Sequence, residues 1–232
     1  MLANVDIHNP LLWAIVIGWI LSVVLHEFAH GLVAHLGGDY TIRERGGLTL
    51  NPLQYVDPLM SIILPVVFLL MGGIPLPGGS TYVRRDLLRN KAWQMAVSLA
   101  GPAMNLLIFL VLCFFLRRPG WIDENISIQE WSTAQKFVAA MAFLQLFSVF
   151  LNLVPVPPLD GFQAIAPFLP ADLRWLLTTP PWSRVLFFGY FLALWYYPPL
   201  QAGLFRAMAQ VMHLLGIDFR ITAMAFNELF VQ

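Results

Sequence analysis

An apolar run at residues 11–36 carries two histidines and a glutamate in its interior, in the stretch Leu25-His26-Glu27-Phe28-Ala29-His30-Gly31. A run of about 26 residues is long enough to cross a hydrocarbon core of roughly 30 Å with some tilt. Ionisable groups in such a segment are costly, and by default they mark function. Residues four apart on a helix lie on one face, about a turn apart. His26 and His30 can therefore present two imidazoles to one metal ion, while Glu27 projects beside them within reach of a water. Two His ligands on one helix with an adjacent Glu base is the arrangement of zinc hydrolases.

Composition agrees with a bilayer setting. Of 232 residues, 59% are hydrophobic and 11% charged, against about 25% charged in a soluble chain. The chain reads as an all-α polytopic membrane protein. Thirteen basic and thirteen acidic residues cancel, so no nucleic-acid partner is indicated. Cys113 is the single cysteine, which excludes an intramolecular disulfide; its apolar run makes it a packing residue. Residues 1–9 contain no Lys or Arg, and the apolar run behind them is too long for a signal-peptide core. It reads as a retained first span.

Further spans are expected at 92–116 and 133–154, which with the first make a three-span core. Between them, residues 39–55 are polar with β-branched positions and a Gly46-Gly47 turn signal, which predicts a small β-hairpin. Residues 57–71 form a shorter apolar run broken by Pro65, ambiguous between a thin span and a re-entrant or surface segment. After a Pro-broken stretch at 155–161, residues 162–177 suggest a short surface helix. Two C-terminal spans are expected at 184–197 and 200–215, then an interfacial tail. The catalytic core would be 1–161 and the remainder, 162–232, part of the same membrane domain. The linkers at 74–91 and 117–133 are too short for an added peptide-binding domain.

A catalytic zinc takes three protein ligands and keeps one position open. Asp160 is the best candidate for the third, because it sits where a Pro-broken segment leaves a span and freed backbone must line a polar cavity. Asp57 is the runner-up and Glu44 a distant third.

Taken together, His26-Glu27-Phe28-Ala29-His30, Gly101-Pro102-Ala103-Met104-Asn105 and the run Asn152-Leu153-Val154-Pro155-Val156-Pro157-Pro158-Leu159-Asp160-Gly161 resemble the site-2 protease family of intramembrane metalloproteases. The likeness covers roughly residues 13–161 and is strongest to small prokaryotic members without added domains; Gly47-Leu48-Thr49-Leu50-Asn51-Pro52 fits that branch. It implies one zinc held by His26, His30 and Asp160, with Glu27 activating water. It also implies polar contacts from Asn105 and Asn152 to the substrate carbonyl or transition state, although either Asn could equally bridge helices. Two stretches depart from the pattern: Tyr55-Val56-Asp57 stands where His-Xaa-Asp is usual, and Gly78-Gly79-Ser80-Thr81-Tyr82-Val83 where a Lys-Pro-Val stretch is expected. Both bear on substrate contacts and lie outside the ligand set. Gly101-Pro102 reads as a close-packing and kink feature.

The three motifs can share one depth only if 57–71 does not cross the membrane fully. Under that topology Arg43, Arg45, Arg84, Arg85, Arg89, Lys91 and Arg174 share the side towards which the site opens, against Arg117, Arg118 and Lys136 opposite. The positive-inside rule makes that side cytoplasmic, in a prokaryotic inner membrane. The expected activity is hydrolysis of a peptide bond in or near the transmembrane segment of a membrane-protein substrate. The rivals are a divalent-metal transporter, for which no internal repeat is visible, and a non-catalytic membrane scaffold.

Overall fold

The computed structural model describes residues 4–5, 8–63, 78–122 and 127–231. In chain order its helices are α1 (Pro10–Gly37), the single turn α2 (Thr41–Glu44), α3 (Lys91–Leu116), α4 (Thr133–Asn152), α5 (Asp160–Ile165), α6 (Ala171–Thr178), α7 (Trp182–Tyr196), α8 (Pro198–Leu214) and α9 (Phe219–Asn227). A two-residue antiparallel pairing joins β1 (Asn4–Val5) to β2 (Phe230–Val231).

Local sequence sets the long helices. Asn9 accepts from the Leu11 amide ahead of Pro10, and Asn90 accepts from the Trp93 amide to start α3. Ser132 and Gln135 form a reciprocal capping box at the start of α4. Gly38, at φ 123°, ends α1 in a conformation that favours glycine.

Helices α1, α3 and α4 are long and apolar enough to cross a membrane. They pack on one another, with α3 against both neighbours. On α4 every residue from Ala139 to Leu146 is buried, the signature of a helix enclosed on all sides. Its core includes Leu12, Ile15, Phe109, Met141, Met208 and Met212. The outer faces are inverted relative to a soluble protein. Trp13, Ile17 and Leu21, spaced four apart on α1, are each more than half exposed, as is Phe114 on α3. An apolar stripe of that kind is suited to lipid.

Three expectations are corrected. No β-hairpin forms at 39–55: the segment is α2, a series of turns and a 3₁₀ turn, Pro52–Tyr55. Its backbone donors are spent locally, Arg45 N on Thr41 O, Gly47 N on Ile42 O and Thr49 N on Gly46 O, which leaves little for a ladder. The fully buried Asp39 carboxylate gathers Thr41 Oγ1, Arg45 Nη2 and the Arg84 amide at 2.6–3.3 Å, and the Tyr55 hydroxyl donates to Thr49 O. The pair of C-terminal spans is also corrected. Prolines at 180–181 and 198–199 divide that region into α7 and α8, of 15 and 17 residues. At 1.5 Å per residue these reach about 22 and 25 Å, short of the roughly 30 Å core. Finally, residues 162–177 form more than one short piece, because Pro167 and Pro170 break α5 from α6. Of the proposed re-entrant run 57–71, the part beyond Ile63 lies outside the described residues; Pro58–Ile63 is one wide π-type turn. Trp131, just ahead of α4, is buried in the core.

Candidate metal centre

His26 lies about 24 Å along α1, at 1.5 Å per residue, so the site sits well inside the span. His26, Glu27 and His30 are all buried. The two imidazoles face each other with Nε2 atoms 3.1 Å apart. Asp160 Oδ2 completes a triangle, 3.1 Å from His26 Nε2 and 3.4 Å from His30 Nε2. A tetrahedral ion with ligand bonds of about 2.0–2.1 Å has ligand–ligand edges of about 3.3 Å. The triangle therefore has the dimensions of three corners of a zinc site, and these three residues form the one described group able to hold a metal.

Several features fix those atoms. His30 Nδ1 donates to Val97 O at 2.6 Å. Since a carbonyl only accepts, the proton is on Nδ1 and the Nε2 lone pair is free to bind a cation. His26 Nδ1 has no hydrogen-bond partner among the described residues. Asp160 opens α5 just beyond the Pro-broken turn that follows α4. Gly161 lets that turn fold tightly, since a Cβ there would lie 2.1 Å from Leu153 O.

The most telling position is Gly101. A Cβ on it would fall 2.3 Å from His30 Nε2 and 2.4 Å from His26 Nε2, closer than a side chain can approach either imidazole. Val97 and Gly101 are one turn apart on α3, so a bare backbone at 101 lets the imidazoles reach the helix surface. The close-packing role read from Gly101-Pro102 is thus a cradle for the metal centre.

A cavity of about 860 Å³ adjoins the triangle and is lined by Glu27, Asn105 and Asn152 among others. Asn105 is buried and its Oδ1 lacks a partner among the described residues. Asp57 lines the cavity but stands outside the ligand group, and Glu44 is exposed on α2. The extended stretch 78–83 also lines it. Thr81 Oγ1 donates to Glu27 O, and the Ser80 amide to Tyr55 O, so both divergent stretches run beside the site.

The chain is 36% identical over 210 residues to "Putative zinc metalloprotease Rip2" of Mycobacterium tuberculosis, covering 90% of this chain and 76% of that protein. It is 40% identical over 173 residues to the protein of the same name in Mycolicibacterium smegmatis, covering 74% and 64% of the two. Against "Putative zinc metalloprotease YwhC" of Bacillus subtilis it is 30% identical over 168 residues, 71% of this chain and 73% of that one. The chain belongs to the site-2 protease family. No family model and no solved structure matches it. Membership in this zinc-metalloprotease family agrees with the donor set, two imidazoles and a carboxylate suited to zinc.

Two contributors to this candidate site escape a reading of the sequence. Val97 acts through its carbonyl, which leaves no side-chain signature. Arg85 lines the cavity and donates from Nη2 to Ser98 Oγ at 3.1 Å, yet among other basic residues it reads only as a topology signal.

Proposed function

We propose that the protein is an intramembrane zinc metalloprotease that hydrolyses a peptide bond in or near the transmembrane segment of a membrane-protein substrate. The observation that carries this is the zinc-sized triangle of His26, His30 and Asp160, held within a bilayer-length helix beside the buried Glu27. When bound, zinc polarises the scissile carbonyl and acidifies water. Glu27 acts as general base, taking the proton from the attacking water and returning it to the leaving amine. Asn105 and Asn152 offer amide groups to the oxygen of the attacked carbonyl.

A helical substrate keeps its carbonyls in hydrogen bonds, so it must unwind locally before attack. The cavity beside the triangle has room for an unwound segment. The basic bias of the loops supports a site opening to the cytoplasm of a prokaryotic plasma membrane.

Glu27→Gln tests the mechanism. Cleavage of a single-span substrate in proteoliposomes should fall below detection while one zinc per chain remains bound. Full activity in that variant would end the mechanism, and zinc flux without cleavage in the native protein would favour a transporter.

A further inference from the structure

Arg85 is the only Lys or Arg among the described residues lining the cavity. It is half-buried, and no carboxylate lies within ion-pair distance of it among the described residues. Its Nη2 is anchored to Ser98 Oγ, which in turn donates to Gln94 O. Its Nη1 is shielded from solvent and has no hydrogen-bond partner among the described residues. Burial lowers the pKa of the guanidinium and the nearby charge of Asp160 partly restores it. A guanidinium carries five donors in a planar fork that matches a carboxylate. Burying such a fork with one neutral partner is costly, and a carboxylate supplied by a ligand would complete it.

Position adds to the case. Ser98 follows Val97, whose carbonyl orients His30, and precedes Gly101 by three residues. The fork is thus held by the same stretch of α3 that shapes the metal centre. We propose that Arg85 is a specificity-determining residue, whose guanidinium receives the carboxylate of an Asp or Glu side chain in the peptide bound across the metal site. This rests on the protease reading above.

The test uses the full-length, zinc-loaded protein and single-span peptides carrying Asp, or its isostere Asn, at each position around the cleaved bond. Cleavage is measured with the native protein, and peptide binding by fluorescence anisotropy with Glu27→Gln. At one position Asp should outperform Asn by on the order of 30-fold, chiefly through KM and the binding constant. Arg85→Gln should erase that difference, and Arg85→Lys should keep part of it. Arg85→Glu should instead favour Lys at the same position, with bound zinc unchanged throughout. Equal handling of Asp and Asn by the native protein, or equal loss of both peptides in Arg85→Gln, would overturn the assignment. So would an effect confined to a free peptide C-terminus and absent from its amide. Arg85-dependent binding of the Asp peptide without any cleavage would sink the protease reading and leave Arg85 standing.

Discussion

At the scale of single residues, the site depends as much on an absent side chain as on those present. The two imidazoles approach α3 closely because position 101 has no Cβ. Gly101→Ala adds one methyl group to a helical position where Ala is otherwise the better former, so the backbone should tolerate it. The methyl would nevertheless collide with the Nε2 atoms of both His26 and His30. The variant should retain its helical circular dichroism and lose zinc affinity by about 100-fold or more, at the upper end of what perturbing a ligand's support costs. Zinc content by mass spectrometry checks this, and one tightly bound zinc per chain would refute the cradle. The His30–Val97 hydrogen bond belongs to the same scale, and no side-chain substitution at 97 removes it.

Among elements, the decisive one is the short turn between α4 and α5. A run that leaves a span through Pro155, Pro157 and Pro158 cannot continue as helix, and the chain folds back so that Asp160 meets two residues on α1. That return is tight at Gly161, against the end of α4. Gly161→Ala changes no ligand, yet its Cβ would meet Leu153 O and push α5 away from the triangle. Zinc affinity and cleavage should fall together, by roughly 10- to 100-fold, measured by zinc titration and a single-turnover assay. The loop at 39–55 shows a different outcome. Its β-branched residues and Gly46-Gly47 suggest a hairpin, but a buried Asp39 drawing three nearby donors favours compact turns over a ladder.

For the whole molecule, the question is which side the site faces. Arg84, Arg85 and Arg89 share the loop that precedes α3, while Arg117 and Arg118 follow it. If the basic side is cytoplasmic, a cysteine at Leu87 should resist an impermeant thiol reagent in intact cells, and one at Arg118 should react. Cys113 is buried, so the native background should be low. The reverse pattern would turn the site to the other side of the membrane.

What the sequence determined by itself was whatever depends on neighbours along the chain. Apolar length placed α1, α3 and α4, local caps set their ends, and four-residue spacing put His26 and His30 on one face with Glu27 beside them. The tertiary structure decided what depends on separation through space. It set Asp160 in the triangle over Asp57 and Glu44, and brought Val97 O to an imidazole 67 residues away in sequence. It also turned a glycine read as packing into the floor of the metal centre and brought Arg85 to the cavity wall. Spacing and hydropathy are local quantities. A ligand triangle with edges of 3.1–3.4 Å is the product of two separate elements, α1 and α5, meeting in space, and neither of them alone encodes it.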